Sequence, residues 1–222
     1  MPKASAVVLL SAGLDSAFNL YKASQELEVR LALTFQYGQR AAAREAERAA
    51  RLADGLKIPH KVIDLTWFKD FTQTALVGDM NVPVASDVAI DDMKVSARTA
   101  QAVWVPNRNG IFLNIAAGFA EGLSCDFVIP GFNAEEAATF PDNGPDFMTA
   151  LDKAFTYSTS RHVRVKCFST DLRKTEIVAE SKKIGVPLKE LWPCYLGGAE
   201  WCGQCESCQR FRRAMAANGG FN

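Results

Sequence analysis

Within the first 65 residues, three apolar runs alternate with two helix-like stretches, and no other feature limits the fold as tightly. Residues 7–10, 31–35 and 61–65 read as strands, while residues 15–27 and the stretch AAAREAERAARLADGL read as helices. The second of these is rich in Ala, Glu and Arg, ends at Gly55 and is followed by Pro59, a normal helix stop. A helix between two strands of one sheet is a crossover, so the strands run parallel, joined right-handedly, with helices covering the sheet. The expected class is α/β, a doubly wound and mainly parallel sheet.

The pattern blurs over residues 66–100, where Gly78, Pro83 and the acidic pair Asp91-Asp92 suggest an excursion over the sheet edge, placed to act as a substrate lid. It returns with a strand at 102–105, a helix at 110–121 and a strand at 126–130. A loop over 131–145 leads to a helix at 147–157, a last strand at 163–168 and a last helix at 174–184, closed by Gly185 with Pro187 beyond. With 222 residues, 48% of them hydrophobic, one core is expected. Residues 1–187 are assigned to an α/β domain and 188–222 to a C-terminal segment packed on it.

Twenty-five Lys plus Arg balance twenty-five Asp plus Glu, which speaks against a polyanionic partner such as a nucleic acid. The apolar run at residues 6–10 is too short for the hydrophobic segment of a signal peptide, and Asn114 interrupts the longest apolar stretch. A soluble cytoplasmic protein without membrane contact is expected.

The stretch SAGLDS fills the turn between the first strand and the first helix, where doubly wound sheets hold ligands outside the carboxyl ends of strands. Gly13 is expected to take a positive φ and let the backbone approach an anion. The helix N-terminus behind it offers unpaired N–H groups and a partial positive charge, and Ser11 and Ser16 add hydroxyls. A plain tight turn is the alternative. The motif has no lysine of the G-x-x-x-x-G-K-[ST] kind. Backbone and hydroxyl donors, with Asp15 placed to reach Mg²⁺, suit pyrophosphate as the leaving group, with attack on the α phosphorus.

Of six cysteines, Cys194, Cys202, Cys205 and Cys208 follow C-x7-C-x2-C-x2-C. Four thiolates so spaced match a closed tetrahedral zinc site, one Zn²⁺ per chain with a structural role. An iron–sulfur cluster is the alternative, although the fourth ligand and proline of ferredoxins lie elsewhere. Cys125 and Cys167, in or beside strands, read as small buried hydrophobes. Arg108 in VPNRN lies between a strand and a helix, on the ligand edge, able to fork onto phosphate or carboxylate. In TFQYGQR, Tyr37 and Gln39 are placed for adenine and ribose. Lys174 reads as a phosphate contact or an ordinary surface lysine, and His60 as structural.

SAGLDS resembles the pyrophosphate loop of the ATP pyrophosphatases. Together with TFQYGQR, VPNRN, KTEIV and the cysteine pattern, in this order, it resembles the 7-cyano-7-deazaguanine synthase (QueC) family over nearly the whole chain. The resemblance implies ATP contacts along Leu10, Ser11, Ala12, Gly13, Leu14, Asp15, Ser16, Ala17, Phe18, Asn19 and Leu20, with Asp15, Ser16 and Arg108 catalytic. It implies 7-carboxy-7-deazaguanine, ammonia and ATP with Mg²⁺ as substrates, adenylated intermediates, a nitrile product used in queuosine synthesis, and a homodimer. Two departures stand out. Most members carry S-G-G-x-D-S, so Ala12 replaces a glycine, tolerable if its φ is negative. Where the family shows Tyr-Pro-Asp-Cys-Arg, this chain has Phe140-Pro141-Asp142-Asn143-Gly144, and Arg161 or Arg164 is expected to stand in for the missing arginine. The competing readings are an ATP pyrophosphatase for another acceptor, such as a tRNA thiolase or a conjugating ligase, and a sensor that holds ATP without turning it over.

Overall fold

The computed structural model describes residues 3–221. Five strands, β1 (Ser5–Leu9), β2 (Glu28–Gln36), β3 (His60–Asp64), β4 (Phe127–Ile129) and β5 (Arg164–Val165), form one sheet in the order β3-β2-β1-β4-β5. Every pairing is parallel. β1 is the centre, with Val8 facing Ala32 on one side and Ile129 on the other.

Alternation along the strands gives each face its own core. Val7, Leu33, Phe35 and Val128 belong to one buried cluster with Leu113 and Ala117 of α4 (Arg108–Gly122) and Phe155 of α6 (Pro145–Ser158). Ala6, Val8, Ala32 and Ile129 belong to the other, with Phe18 of α1 (Leu14–Glu26), Leu52 of α2 (Ala42–Gly55), Ile177 of α7 (Lys174–Lys183) and Phe211 of α8 (Glu206–Ala217). The doubly wound parallel sheet expected from the alternation of runs is thus present, and Gly185, at φ +77°, ends α7.

The strand expected at 102–105 is absent. Ala102 and Val103 instead finish α3 (Met93–Val103), which Asp92 caps by accepting hydrogen bonds from the N–H groups of Lys94 (2.8 Å) and Val95 (3.2 Å). A short apolar run fits a buried strand or a buried helix end equally. Here Ser96, Thr99, Ala100 and Val103 form a buried stripe at helical spacing, so the helix wins. The loop at 131–145 also holds a one-turn helix, α5 (Ala134–Ala137), capped by Asn133.

The C-terminal segment lies against the body, Phe211, Ala214 and Met215 sharing the core of Ala6 and Val8. It also meets the excursion after β3, where Val84 bridges Cys205 and Ala85 N–H donates to Gln204 O at 3.1 Å. Among the described residues, no helix is long and apolar enough to cross a membrane.

Candidate functional site

Where β1 and β4 lie side by side, their following helices leave toward opposite faces, and a cleft opens at their carboxyl ends. A cavity of about 260 Å³ occupies it. Leu10, Ser11, Gly13, Leu14, Asp15 and Ser16 line it, and so does Arg108.

The backbone of the first loop differs from the expected one. Gly13 is extended, at φ −72° and ψ 166°, whereas Ala12 is left-handed at φ +61°. The expectation of positive φ at Gly13 and negative φ at Ala12 is therefore reversed. A left-handed alanine costs about 1–2 kcal/mol, and such strain persists only when its surroundings fix it. Ala12 is fully buried and its carbonyl accepts the Trp192 N–H at 2.9 Å, which supplies that constraint. Ser16 Oγ donates to Gly13 O (3.1 Å), accepts from Ser11 N–H (3.2 Å) and sits 3.1 Å from Ser11 Oγ, so the loop hydroxyls are set before any ligand arrives.

Ala17, Phe18 and Leu20 do not reach the cavity; the turn of α1 sends them into the core beneath the sheet. Asn19 is also buried away from it and works as a brace. Its Nδ2 donates to Asp15 O (2.8 Å) and Ser169 Oγ (2.6 Å), and its Oδ1 accepts from Phe168 N–H (2.7 Å).

The loop has no lysine in its sequence, but the fold supplies one. Lys174 Nζ, at the start of α7 and only 7% exposed, lies 2.9 Å from Asp15 Oδ2 and 2.7 Å from Glu136 Oε1 of α5. Burial opposes its charge, yet the two carboxylates hold its pKa above the usual lysine value, so it is cationic. Burial, opposed by Lys174 and reinforced by Glu136, pushes the Asp15 carboxyl up. Asp15 Oδ1 is buried without a hydrogen-bond partner. A buried orphan oxygen beside a lysine and a helix N-terminus is arranged for something that brings positive charge together with phosphate.

Arg108 opens α4, Nη1 lying 3.3 Å from Tyr37 Oη, and no carboxylate forms an ion pair with it among the described residues. Behind it Phe35 and Phe112 stack at 4.2 Å between centroids. Gln39 is turned inward, accepting from Tyr37 N–H (2.9 Å) and donating to Glu45 Oε2 (2.8 Å). Burial pushes the Glu45 carboxyl from 4.5 up to about 7. A carboxyl whose folded pKa lies above its unfolded value keeps its proton longer in the folded state, so stability falls as pH climbs through that window. Glu45→Gln is accordingly expected to leave the melting temperature unchanged at pH 4 and raise it at pH 8, by thermal denaturation at both.

Phe140, Asp142 and Asn143 line the far wall, but Arg161 and Arg164 do not join them. They flank Ser5, Asp126 and Phe127 at the amino ends of the strands, Arg164 lying 4.7 Å over the Phe127 ring. Because β5 is parallel and Arg164 begins it, the residue is at the wrong end of the sheet to replace the missing arginine. Arg210 of α8, which the sequence reading missed, does line the cavity, paired with Glu206 (2.7 Å) and Glu135 (3.2 Å). The acidic pair Glu135-Glu136 was legible only as two carboxylates just beyond a strand's carboxyl end.

Gly131, after β4, presses on the first turn of α1. A Cβ there would lie 2.6 Å from Ser16 N and 2.8 Å from Ser16 Cα, both backbone atoms that cannot yield cheaply. Gly131→Ala is expected to cost about 1–3 kcal/mol and to weaken nucleotide binding by moving Ser16. Chemical denaturation and ATP titration of the variant check both.

The four cysteines stand as a group, their Sγ atoms within 4.8 Å of one another. Tetrahedral thiolate coordination at about 2.3 Å puts sulfurs roughly 3.8 Å apart. Cys194 Sγ accepts from the N–H groups of Leu196 (3.3 Å) and Cys202 (3.4 Å), and Cys202 Sγ from those of Gln204 (3.4 Å) and Cys205 (3.3 Å). Backbone donors aimed at sulfur stabilise thiolate, so the cluster fits a thiophilic metal ion. Of the two other cysteines, Cys125 is buried as expected. Cys167 is not, and its thiol lies 3.5 Å from Asn19 Oδ1 and 3.6 Å from Ser169 Oγ. His60 Nε2 meets Thr34 Oγ1 at 2.8 Å, a structural contact at the strand entrance.

The family model described as "Queuosine biosynthesis protein QueC" matches residues 5–219. A 7-cyano-7-deazaguanine synthase of Bdellovibrio bacteriovorus is 57% identical over 213 residues, covering 95% of this chain and 92% of that protein. One from Pelotomaculum thermopropionicum is 50% identical over 214 residues, covering 96% and 97%. The solved NMN synthetase of Francisella tularensis aligns with a TM-score of 0.51 at 17% identity, over 100% of this chain and 79% of that one, a likeness of fold alone.

Proposed function

The chain belongs to the QueC family of queuosine biosynthesis proteins, and from that premise we propose that it converts 7-carboxy-7-deazaguanine, ammonia and ATP into 7-cyano-7-deazaguanine, AMP and pyrophosphate. The carboxylate attacks the α phosphorus of ATP and pyrophosphate leaves; ammonia then displaces AMP to give the amide. The amide oxygen attacks the α phosphorus of a second ATP and a second pyrophosphate leaves; loss of AMP from carbon and of a proton from nitrogen forms the nitrile.

The observation that carries this reading is the buried knot of Lys174, Asp15 and Glu136 at the head of α1. A departing diphosphate needs donors that are in place before charge develops. The N–H groups opening α1 and the hydroxyls of Ser11 and Ser16 face that charge, and the Lys174 ammonium, held by its two carboxylates, adds a fixed cation. Asp15 Oδ1, which lacks a protein partner, and Glu136 would hold a Mg²⁺ bound with ATP, which would supply neutralisation of phosphate charge. Arg108, half-buried and without a carboxylate ion pair among the described residues, serves the anion at the reacting end. The attacking carboxylate is already ionised at neutral pH, so no histidine base is required. In the four-cysteine site we assign Zn²⁺, one per chain, with four thiolates and no open position for chemistry. The same reading carries a homodimer in the cytoplasm.

Mass spectrometry of the purified protein with the carboxylic acid, ammonium, ATP and Mg²⁺ tests the assignment. The nitrile and AMP are expected. Pyrophosphate release that ignores the acid would transfer the protein to another acceptor, and none under any condition would make it a sensor.

A further inference from the structure

We propose, resting on that reading, that the deazaguanine base lies on an aromatic platform formed by Trp104 and Phe140, with Asp142 reading its hydrogen-bond donor edge. Trp104 follows α3 and Phe140 precedes the turn at Pro141–Asn143, yet the two rings come within 6.0 Å between centroids and 7° of parallel. Both line the cavity and neither is fully buried, so a flat ring system laid against them extends an existing stack.

Beside the platform, Asp142 is half-buried and forms no ion pair among the described residues. Its Oδ1 accepts from Asn143 Nδ2 at 3.3 Å, Asn109 Nδ2 donates to its backbone carbonyl at 3.3 Å, and Oδ2 takes no hydrogen bond among the described residues. Burial, opposed by Arg108 and by hydrogen bonds from its neighbours, pushes its carboxyl up.

The chemistry of the open oxygen decides between the two aromatic substrates. An ionised carboxylate only accepts. A guanine-type ring presents N1–H and the 2-amino group side by side, two donors for one carboxylate. Adenine presents one amino group beside the lone pair of N1, which the carboxylate repels. The adenine nucleotide therefore belongs with the phosphate loop and the Phe35–Tyr37 wall, and the deazaguanine with Asp142. Asp142 lies in the stretch Phe140-Pro141-Asp142-Asn143-Gly144, and Phe140, Asp142 and Asn143 all meet the cavity.

Isothermal titration of the full-length protein, in the presence of a non-hydrolysable ATP analogue, tests the proposal with 7-carboxy-7-deazaguanine and with its counterpart lacking the 2-amino group. Wild type is expected to prefer the aminated ring about a hundredfold, because loss of that group leaves an Asp142 oxygen without its donor in the occupied cavity. Asp142→Asn is expected to erase most of that preference while the ATP analogue binds within about twofold of wild type. Trp104→Leu is expected to weaken both rings alike, by about tenfold. An undiminished preference in Asp142→Asn overturns the proposal, as does loss of ATP-analogue binding in that variant, which would mark a structural role. A wild type that binds the ATP analogue and neither ring overturns the functional reading itself, and wild-type binding of the rings separates the two failures.

Discussion

Asp15→Asn is expected to lower turnover about a thousandfold while the protein stays folded. The substitution keeps the shape of the side chain and removes the charge that the Lys174 ammonium and Mg²⁺ would share. Lys174 retains Glu136 at 2.7 Å, so no buried cation is left alone, and Asp15 Oδ1 has no protein partner to lose. The effect therefore falls on the reaction rather than on the fold. Lys174→Met is the harsher companion, since it leaves two carboxylates facing each other across the cradle. It should lose turnover as well and also melt earlier, because a broken buried pair costs about 3–5 kcal/mol. Pyrophosphate release under saturating substrates, beside thermal melts of both variants, makes the comparison. Near wild-type release in Asp15→Asn removes that residue from the reaction.

Cys205→Ser is expected to release the metal and to cost more than about 4 kcal/mol, a fall in melting temperature of about 8–16 °C for a chain of this size. Chelation of the wild type should do the same. Nucleotide affinity should fall in step, for a specific reason. Trp192, two residues before Cys194, donates its backbone N–H to the carbonyl of Ala12, the residue held at φ +61°. Cys194, Tyr195, Ser207 and Arg210 form part of the cavity wall. Metal content by atomic emission, melting temperature and ATP affinity, measured on the same preparation, should move together. A variant that loses its metal and keeps its ATP affinity would make the cysteine segment a remote staple.

Much of the sheet was legible because each strand run carried its own punctuation. The helix before Gly55 and the one before Gly185 end near those residues, and the alternation of Ala6, Val7 and Val8 assigns a face to each side chain. The miss at 102–105 has a local cause: Val103, Trp104 and Val105 look like a strand until Asp92 is seen as an N-cap. The site was half legible. The loop at Ser11–Ser16 and the cysteine group are contiguous in sequence and state their chemistry through spacing. Lys174 was marked as a phosphate contact or a surface lysine, but its pairing with Asp15 spans 159 residues, and Glu136 and Arg210 arrive by similarly long routes, so only the fold announces that arrangement. The reversed conformations of Ala12 and Gly13 were illegible because the bond that fixes them comes from Trp192.

The position of β1 in the sheet bears on how the molecule comes to exist. Its second neighbour, β4, is contributed by residues far downstream, and the Ser5 N–H waits for the carboxylate of Asp126, 121 residues on. As the polypeptide emerges from the ribosome, β1 and β2 can pair early, but the other hydrogen-bonding edge of β1 stays bare until the middle of the chain has been made. A bare edge of that kind invites other strands, and long-range parallel pairing is slow. The most buried strand of the finished protein is thus the one longest at risk of pairing with the wrong partner while it is being made.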